Sequence, residues 1–131
     1  MVFSNSKLPE INKLKALIVE DNAFFRSAFK ETLQRLFPSM VIQEASEASE
    51  ALQKVDTFLP DLIFMDIQLP GGNGLHLTKK IKASHPDISV VIVTSHDIPE
   101  YREAAVQYGA KCFLPKDSLN WGEIETLIKS F

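Results

Sequence analysis

The sequence predicts an α/β domain, a parallel sheet covered by helices on both faces. Three observations lead there. Short apolar runs alternate with amphipathic stretches in the order β-α, five times over, the pattern of strands joined by crossover helices. Runs such as LIFM at 62–65 and VVIV at 90–93 are continuous rather than alternating, as in strands buried on both faces. The length, 131 residues, suits one domain, since about 100–200 residues is the usual size.

Each element has a local reason. Residues 1–13 (MVFSNSKLPEINK) show little periodicity and read as a flexible leader, with the folded domain at 14–131. The first strand is Ala16–Val19, and Phe25, Phe29, Leu33 and Leu36 then mark one face of a helix. Val41–Ala45 is the second strand. Ala48, Ala51, Leu52 and Val55 follow at helical spacing, with Ser46 placed as N-cap. Asp61–Asp66 is the third strand, and Leu77 and Ile81 lie four apart in a shorter helix. Ser89–Ser95 precedes a helix carrying Tyr101, Ala104, Ala105 and Tyr108, with Gly109 as its stop. Lys111–Pro115 is the last strand. Ile124, Leu127, Ile128 and Phe131 form the last helical face, and Asn120 with Glu123 resembles a capping box. Crossovers of such a sheet are right-handed.

Composition excludes several classes. Hydrophobic residues are 45% and charged residues 24% of the chain, which is ordinary for a globular protein. Fourteen bases against 17 acids give a net charge of −3, so bulk electrostatics do not favour nucleic acid. The single cysteine, Cys112, has no internal disulfide partner, and no Cys/His cluster has zinc spacing. A reducing cytoplasm is the expected compartment. No run reaches the ~18 apolar residues of a membrane span, and no signal-peptide core opens the chain.

Sheets of this type place their sites at the carboxyl ends of strands, where strand order reverses. Glu20 and Asp21 follow the first strand, Asp66 ends the third, Thr94 the fourth, and Lys116 follows the fifth. Taken singly, each has an ordinary explanation. Acids suit a helix N-terminus, a strand-terminal Asp suits a turn, Thr is a strand former, and Lys is usually solvated. Together they place three carboxylates, a hydroxyl and an ammonium in one crevice. Clustered carboxylates repel, by about 4 kcal/mol per pair at ~4 Å and an effective dielectric of about 20. A hard divalent cation relieves this, and magnesium takes one or two carboxylates plus phosphate oxygens. With Lys116 and Thr94 as donors, the set suits phosphoryl transfer to Asp66 as nucleophile.

These residues carry a resemblance. VED at 19–21, FMDIQLPGGNG at 64–74, VTS at 93–95 and FLPK at 113–116 resemble a response-regulator receiver domain, over about residues 14–131. The resemblance implies a flavodoxin-like (βα)5 sheet of order 2-1-3-4-5. It implies phosphotransfer to Asp66 from a sensor histidine kinase or histidine phosphotransfer protein, the domain catalysing only its own phosphorylation and dephosphorylation. Mg2+ is the implied cofactor, with Mn2+ as a substitute. Its ligands would be Asp21, Asp66, the backbone carbonyl of Gln68, and Glu20 largely through water. Lys116 would pair with the phosphoryl group, Thr94 would move to hydrogen-bond it, and Phe113 would be the aromatic switch. Gln68 and His96 stand two residues past Asp66 and Thr94, where receivers tune phosphoryl lifetime; two solvated loop residues is the plainer reading. The face formed by the fourth helix, fifth strand and fifth helix commonly serves such domains as a dimer or partner surface.

Some positions depart from the family or have local reasons of their own. Glu20 stands where aspartate is commoner, and Asp117 follows Lys116 where many receivers have a cis proline. A cis bond before a non-proline costs roughly 2.5–4 kcal/mol, so the Lys116–Asp117 bond is expected trans. Pro70, Gly71, Gly72 and Gly74 describe a tight loop in which glycine makes positive φ cheap. Phe113 as plain core would point away from Cys112 and Leu114. Cys112 reads as core, His76 and His85 as solvated helix residues, and Trp121 as packing at the start of the last helix. GAKCFLPKDS resembles receivers followed by a helix-turn-helix DNA-binding domain. A stand-alone receiver and one cut from a longer regulator both fit; this chain itself is expected to bind neither nucleic acid nor membrane.

Three other functions compete. A haloacid-dehalogenase-type phosphatase needs a second aspartate two residues after the nucleophile, where Gln68 stands. A nucleotide or flavin module needs a Gly-rich loop after the first strand, where Glu20, Asp21 and Asn22 stand. A degenerate receiver, acting by protein interaction alone, would not need Asp66, Thr94 and Lys116 intact. The charge sum also gains a location: removing Glu20, Asp21 and Asp66 from the 17 acids leaves them equal to the 14 bases.

Overall fold

The computed structural model describes residues 13–131, so the leader assigned to 1–13 lies outside the described residues except for Lys13. The main sheet has strands β1 (Lys15–Val19), β2 (Val41–Ala45), β3 (Leu62–Met65), β4 (Ser89–Thr94) and β5 (Cys112–Pro115). All are parallel, in the order β2-β1-β3-β4-β5. The helices are α1 (Ala23–Leu36), α2 (Ala48–Phe58), α3 (Gly74–Ser84), α4 (Pro99–Gln107) and α5 (Trp121–Lys129). The expected class and strand order are both present.

The alternation of side chains along each strand divides the core in two. Leu17, Val19, Ile63, Met65, Val90 and Ile92 face the layer of α2, α3 and α4. Ala16, Ile18, Leu62, Phe64, Val91 and Val93 face α1 and α5, meeting Phe29, Leu33, Ile124 and Leu127. Phe64 is buried with its ring 4.9 Å from that of Phe29, edge-on. The Trp121 ring also lies 4.9 Å from that of Phe29, tilted by 39°, so it packs where expected.

Coverage on both faces holds only for the three inner strands. β2 is an edge strand with exposed Val41 and Gln43, because only β1 flanks it. Ser46 does not cap α2. Glu47 holds the cap position without a side-chain bond, and Ser46 instead donates its N–H to the Glu50 carboxylate at 2.9 Å. Asn22 and Asn73 do cap α1 and α3, accepting from Phe25 and Leu75. Asn120 accepts from the Glu123 N–H, the forward half of the expected capping box. Phe131 falls two residues past α5 and is exposed, as is Leu36 at the end of α1. Gly109 ends α4 with a positive φ of 96°. His85 is not a solvated helix residue: it is the C-cap of α3, half-buried, with Nε2 3.7 Å from Asp56 and Nδ1 enclosed without a partner.

The order reverses between β1 and β3, so a crevice opens past their carboxyl ends. The chain after β3 forms a two-residue antiparallel ribbon, Gln68–Leu69 against Gly72–Asn73. Positive φ occurs there only at Gly71 (78°). Gly72 and Gly74 are needed for space instead. A Cβ on Gly74 would lie 1.9 Å from the Asp66 carbonyl oxygen, and one on Gly72 would lie 2.8 Å from the Ala48 Cβ.

Candidate functional site

The sheet builds the site by ending its strands at the same level. Glu20 continues β1, its N–H donating to the Ala45 carbonyl of β2 at 2.9 Å. Asp66 continues β3, its N–H donating to the Val19 carbonyl at 3.0 Å. Both acids are buried, at 2% and 6% exposure, whereas Asp21 between Glu20 and the Asn22 cap is exposed. One carboxylate oxygen from each of Glu20, Asp21 and Asp66 lies within 4.8 Å of the others.

Lys116, opening a short 3-10 turn after β5, completes the cluster. Its Nζ lies 2.6 Å from Glu20 Oε1 and 3.1 Å from Asp66 Oδ2. The other oxygens are also engaged. Glu20 Oε2 accepts from the Asn22 N–H at 2.9 Å, and Asp66 Oδ1 accepts from the Ile67 N–H at 2.7 Å. Burial raises the Glu20 pKa above the ordinary carboxylate value, and the bonds from Lys116 and Asn22 only partly oppose it. Burial alone would lower the Lys116 pKa, but the bonds to Glu20 and Asp66 outweigh it and hold the ammonium charged. The Phe25 ring covers this ammonium, its centroid 4.6 Å from Nζ, a cation–π contact.

Thr94 is fully buried at the end of β4, paired with Pro115 one residue before Lys116. Its Oγ1 accepts from the His96 N–H at 3.2 Å. Gln68 and His96 are both exposed on the loops beyond β3 and β4. Phe113 is half-buried and faces away from Cys112 and Leu114, toward Tyr101, Ala104 and Tyr108. The Arg102 guanidinium sits 4.7 Å over its ring and also grips Asp97 at 2.6 and 3.0 Å. Among the described residues no peptide bond is cis, so Lys116–Asp117 is trans. Cys112 is half-buried, and burial pushes its thiol pKa up.

The structure thus brings Glu20, Asp21, Asp66 and Lys116 together. It puts Thr94 at the adjoining strand end and leaves Phe113 outside the crevice. The donor set fits a hard dication: three carboxylates, all oxygen, two of them buried against a single lysine. The sequence reasoning missed Asn22, Phe25 and Arg26 as parts of the site. Arg26 donates from Nη1 to the Glu20 carbonyl at 2.7 Å and from Nε to Glu44 at 2.9 Å. Phe25 was legible only as part of a helix stripe.

Comparison with known proteins agrees with this architecture. A family model described as the response regulator receiver domain matches residues 16–129. The response regulator GacA of Pseudomonas syringae is 33% identical over 103 residues, covering 79% of this chain and 48% of that protein. The oxygen regulatory protein NreC of Staphylococcus carnosus is 35% identical over 106 residues, covering 80% and 49%. The chain therefore spans about half the length of these curated relatives. Among solved structures, the receiver domain of a DNA-binding response regulator (merR) from Colwellia psychrerythraea superposes with a TM-score of 0.85 at 27% identity, over 90% of this chain and 97% of that one. A CheY-like receiver from Methanospirillum hungatei gives 0.81 at 25%, over 90% and 92%. No helix among the described residues is long and apolar enough to cross a membrane. The chain belongs to the response regulator receiver domain family.

Proposed function

We propose that this receiver accepts a phosphoryl group on Asp66 from a phosphohistidine, on a sensor histidine kinase or histidine phosphotransfer protein, and that the modification shifts a two-state conformational equilibrium. The observation that supports it most is the contact of Lys116 with both Glu20 and Asp66 beside Asp21. A nucleophile needs a free oxygen, a nearby cation and water exclusion. Asp66 has the last two from Lys116 and its own burial.

In the crevice, Asp21 and Asp66 would hold Mg2+ (or Mn2+) together with the Gln68 carbonyl, while Glu20 would act largely through water. The ion would supply charge neutralisation for the incoming phosphoryl oxygens. The chain's own groups do the rest. The Ile67 N–H orients the Asp66 carboxylate through Oδ1. Lys116 is placed to follow the negative charge from the carboxylate to the phosphoryl oxygens. The Thr94 hydroxyl turns from its loop contact to donate to them, drawing the β4–α4 loop inward, and Phe113 responds on the outer face. The aspartyl phosphate binds one of the two states better, and that difference sets the population shift. Gln68 and His96, both exposed at the mouth, control access of attacking water and so phosphoryl lifetime.

The folded domain is residues 14–131, working in the cytoplasm. The output is the α4–β5–α5 face, as a dimer or partner surface. The relatives' greater length supports an output domain, DNA-binding by analogy with the Colwellia receiver's parent, in the full protein.

Beryllofluoride, a phosphoryl mimic, tests the reading. Fluorine NMR of the protein with Mg2+ should show a bound signal that disappears with EDTA and in Asp66→Asn. A bound signal that survives Asp66→Asn would refute Asp66 as acceptor. Turnover of a simple phosphomonoester would favour the phosphatase reading instead.

A further inference from the structure

The peptide unit between Glu20 and Asp21 is held by a side chain of α1. Its carbonyl belongs to buried Glu20 and accepts from Arg26 Nη1 at 2.7 Å. Arg26 stands one turn into α1, and its Nε simultaneously donates to Glu44 Oε1 at 2.9 Å. Glu44 on β2 is itself fixed. Lys30, one turn further along α1, donates to its other oxygen at 3.0 Å, and Lys54 of α2 donates to its backbone carbonyl. The guanidinium is thus a planar bracket between β2 and the end of β1. Because a peptide is planar, fixing the Glu20 carbonyl fixes the plane from which the Asp21 backbone leaves. A lysine offers one point charge and could not hold both partners in a fixed fork.

We infer that Arg26 is a positioning residue for the cation site: through the Glu20 carbonyl and Glu44 it sets where the Asp21 carboxylate stands. The inference rests on the cation role proposed above for Asp21. Coulomb's law and positioning make opposite predictions here, which makes the idea testable. A positive side chain beside a dication site repels the ion, so its removal should tighten binding on charge alone. If orientation dominates, removal loosens it. Partners that orient metal ligands typically change affinity by 10–100-fold when lost.

The test is calorimetric titration of Mg2+ into the wild-type protein, Arg26→Lys and Arg26→Gln, each below its unfolding midpoint, with no phosphodonor present. Arg26→Lys keeps the charge and removes the fork. The side chain is a fifth exposed, so this variant can fold even if Arg26→Gln does not. Both should bind Mg2+ roughly tenfold more weakly than wild type. A purely structural role would lower the unfolding midpoint and leave the affinity alone. Unchanged affinity in Arg26→Lys, or tighter binding in Arg26→Gln, overturns the inference while the proposed function stands. A wild-type protein that binds no Mg2+ overturns both.

Discussion

Lys116 holds two buried carboxylates at 2.6 and 3.1 Å. At an effective dielectric of about 20 those distances correspond to attractions of about 6 and about 5 kcal/mol. Desolvation of three charges consumes most of that. The quantity an experiment reads is the cost of removing one partner and leaving the others uncompensated, about 3–5 kcal/mol for a buried pair. Lys116→Met keeps the length of the arm and deletes the charge. In EDTA it should lower the urea midpoint by an amount equivalent to about 3 kcal/mol or more, at unchanged slope. Adding Mg2+ should then stabilise the variant more than the wild type, because the ion no longer competes with the ammonium for Glu20 and Asp66. Equal midpoints for variant and wild type in EDTA would refute the reasoning. So would a smaller response to Mg2+ in the variant.

Other consequences concern the frame around the crevice. Gly74→Ala forces a Cβ to within 1.9 Å of the Asp66 carbonyl; it should cost at least the 1–3 kcal/mol typical of overpacking, roughly, by urea unfolding, and abolish the beryllofluoride signal. Gly71→Ala meets no atom but carries a φ of 78°, so only the left-handed penalty of about 1–2 kcal/mol applies and the signal should persist. Burial raises the Glu44 pKa, but bonds from Lys30 and Arg26 more than offset this and hold it below the ordinary carboxylate value. A depressed pKa gives stability that is present above the unfolded value and lost as pH falls through the folded one. The urea-midpoint gap between wild type and Glu44→Gln should therefore be wide at pH 7 and close as pH falls below about 4; a gap that widened on acidification would contradict the pairing. Phe113→Ala should leave modification of Asp66 intact while removing the accompanying spectral change on α4, and loss of the modification itself would tie Phe113 to the chemistry.

The inner strands were legible because β1, β3 and β4 are buried on both faces, and short continuous apolar runs rich in β-branched residues are the mark of such strands. The cluster was legible for a related reason: Glu20, Asp21, Asp66 and Lys116 stand just past strands and Thr94 ends one, and a parallel sheet carries strand ends to one edge. What the sequence left hidden depends on contacts between elements. Ser46 has a capping side chain, but the Glu50 carboxylate reaches back to its N–H and the helix begins one residue later. Phe131 keeps the helical spacing yet falls beyond the last turn. Gly74 belongs to a loop whose glycines suggested positive φ, while its actual need is room beside a carbonyl. Arg26 reads as a solvated helix residue until β2 is placed beside α1. Its two acceptors are Glu20, just past β1, and Glu44 on β2.

The central claim is that Asp66 becomes phosphorylated in a cation-dependent step. Incubation with acetyl phosphate and Mg2+, followed by mass mapping of the modified peptide, tests it most directly. A single phosphoryl group on the peptide containing Asp66, lost with EDTA and in Asp66→Asn, is the expected result. A phosphoryl group retained by Asp66→Asn, or mapped to another residue, would contradict the account.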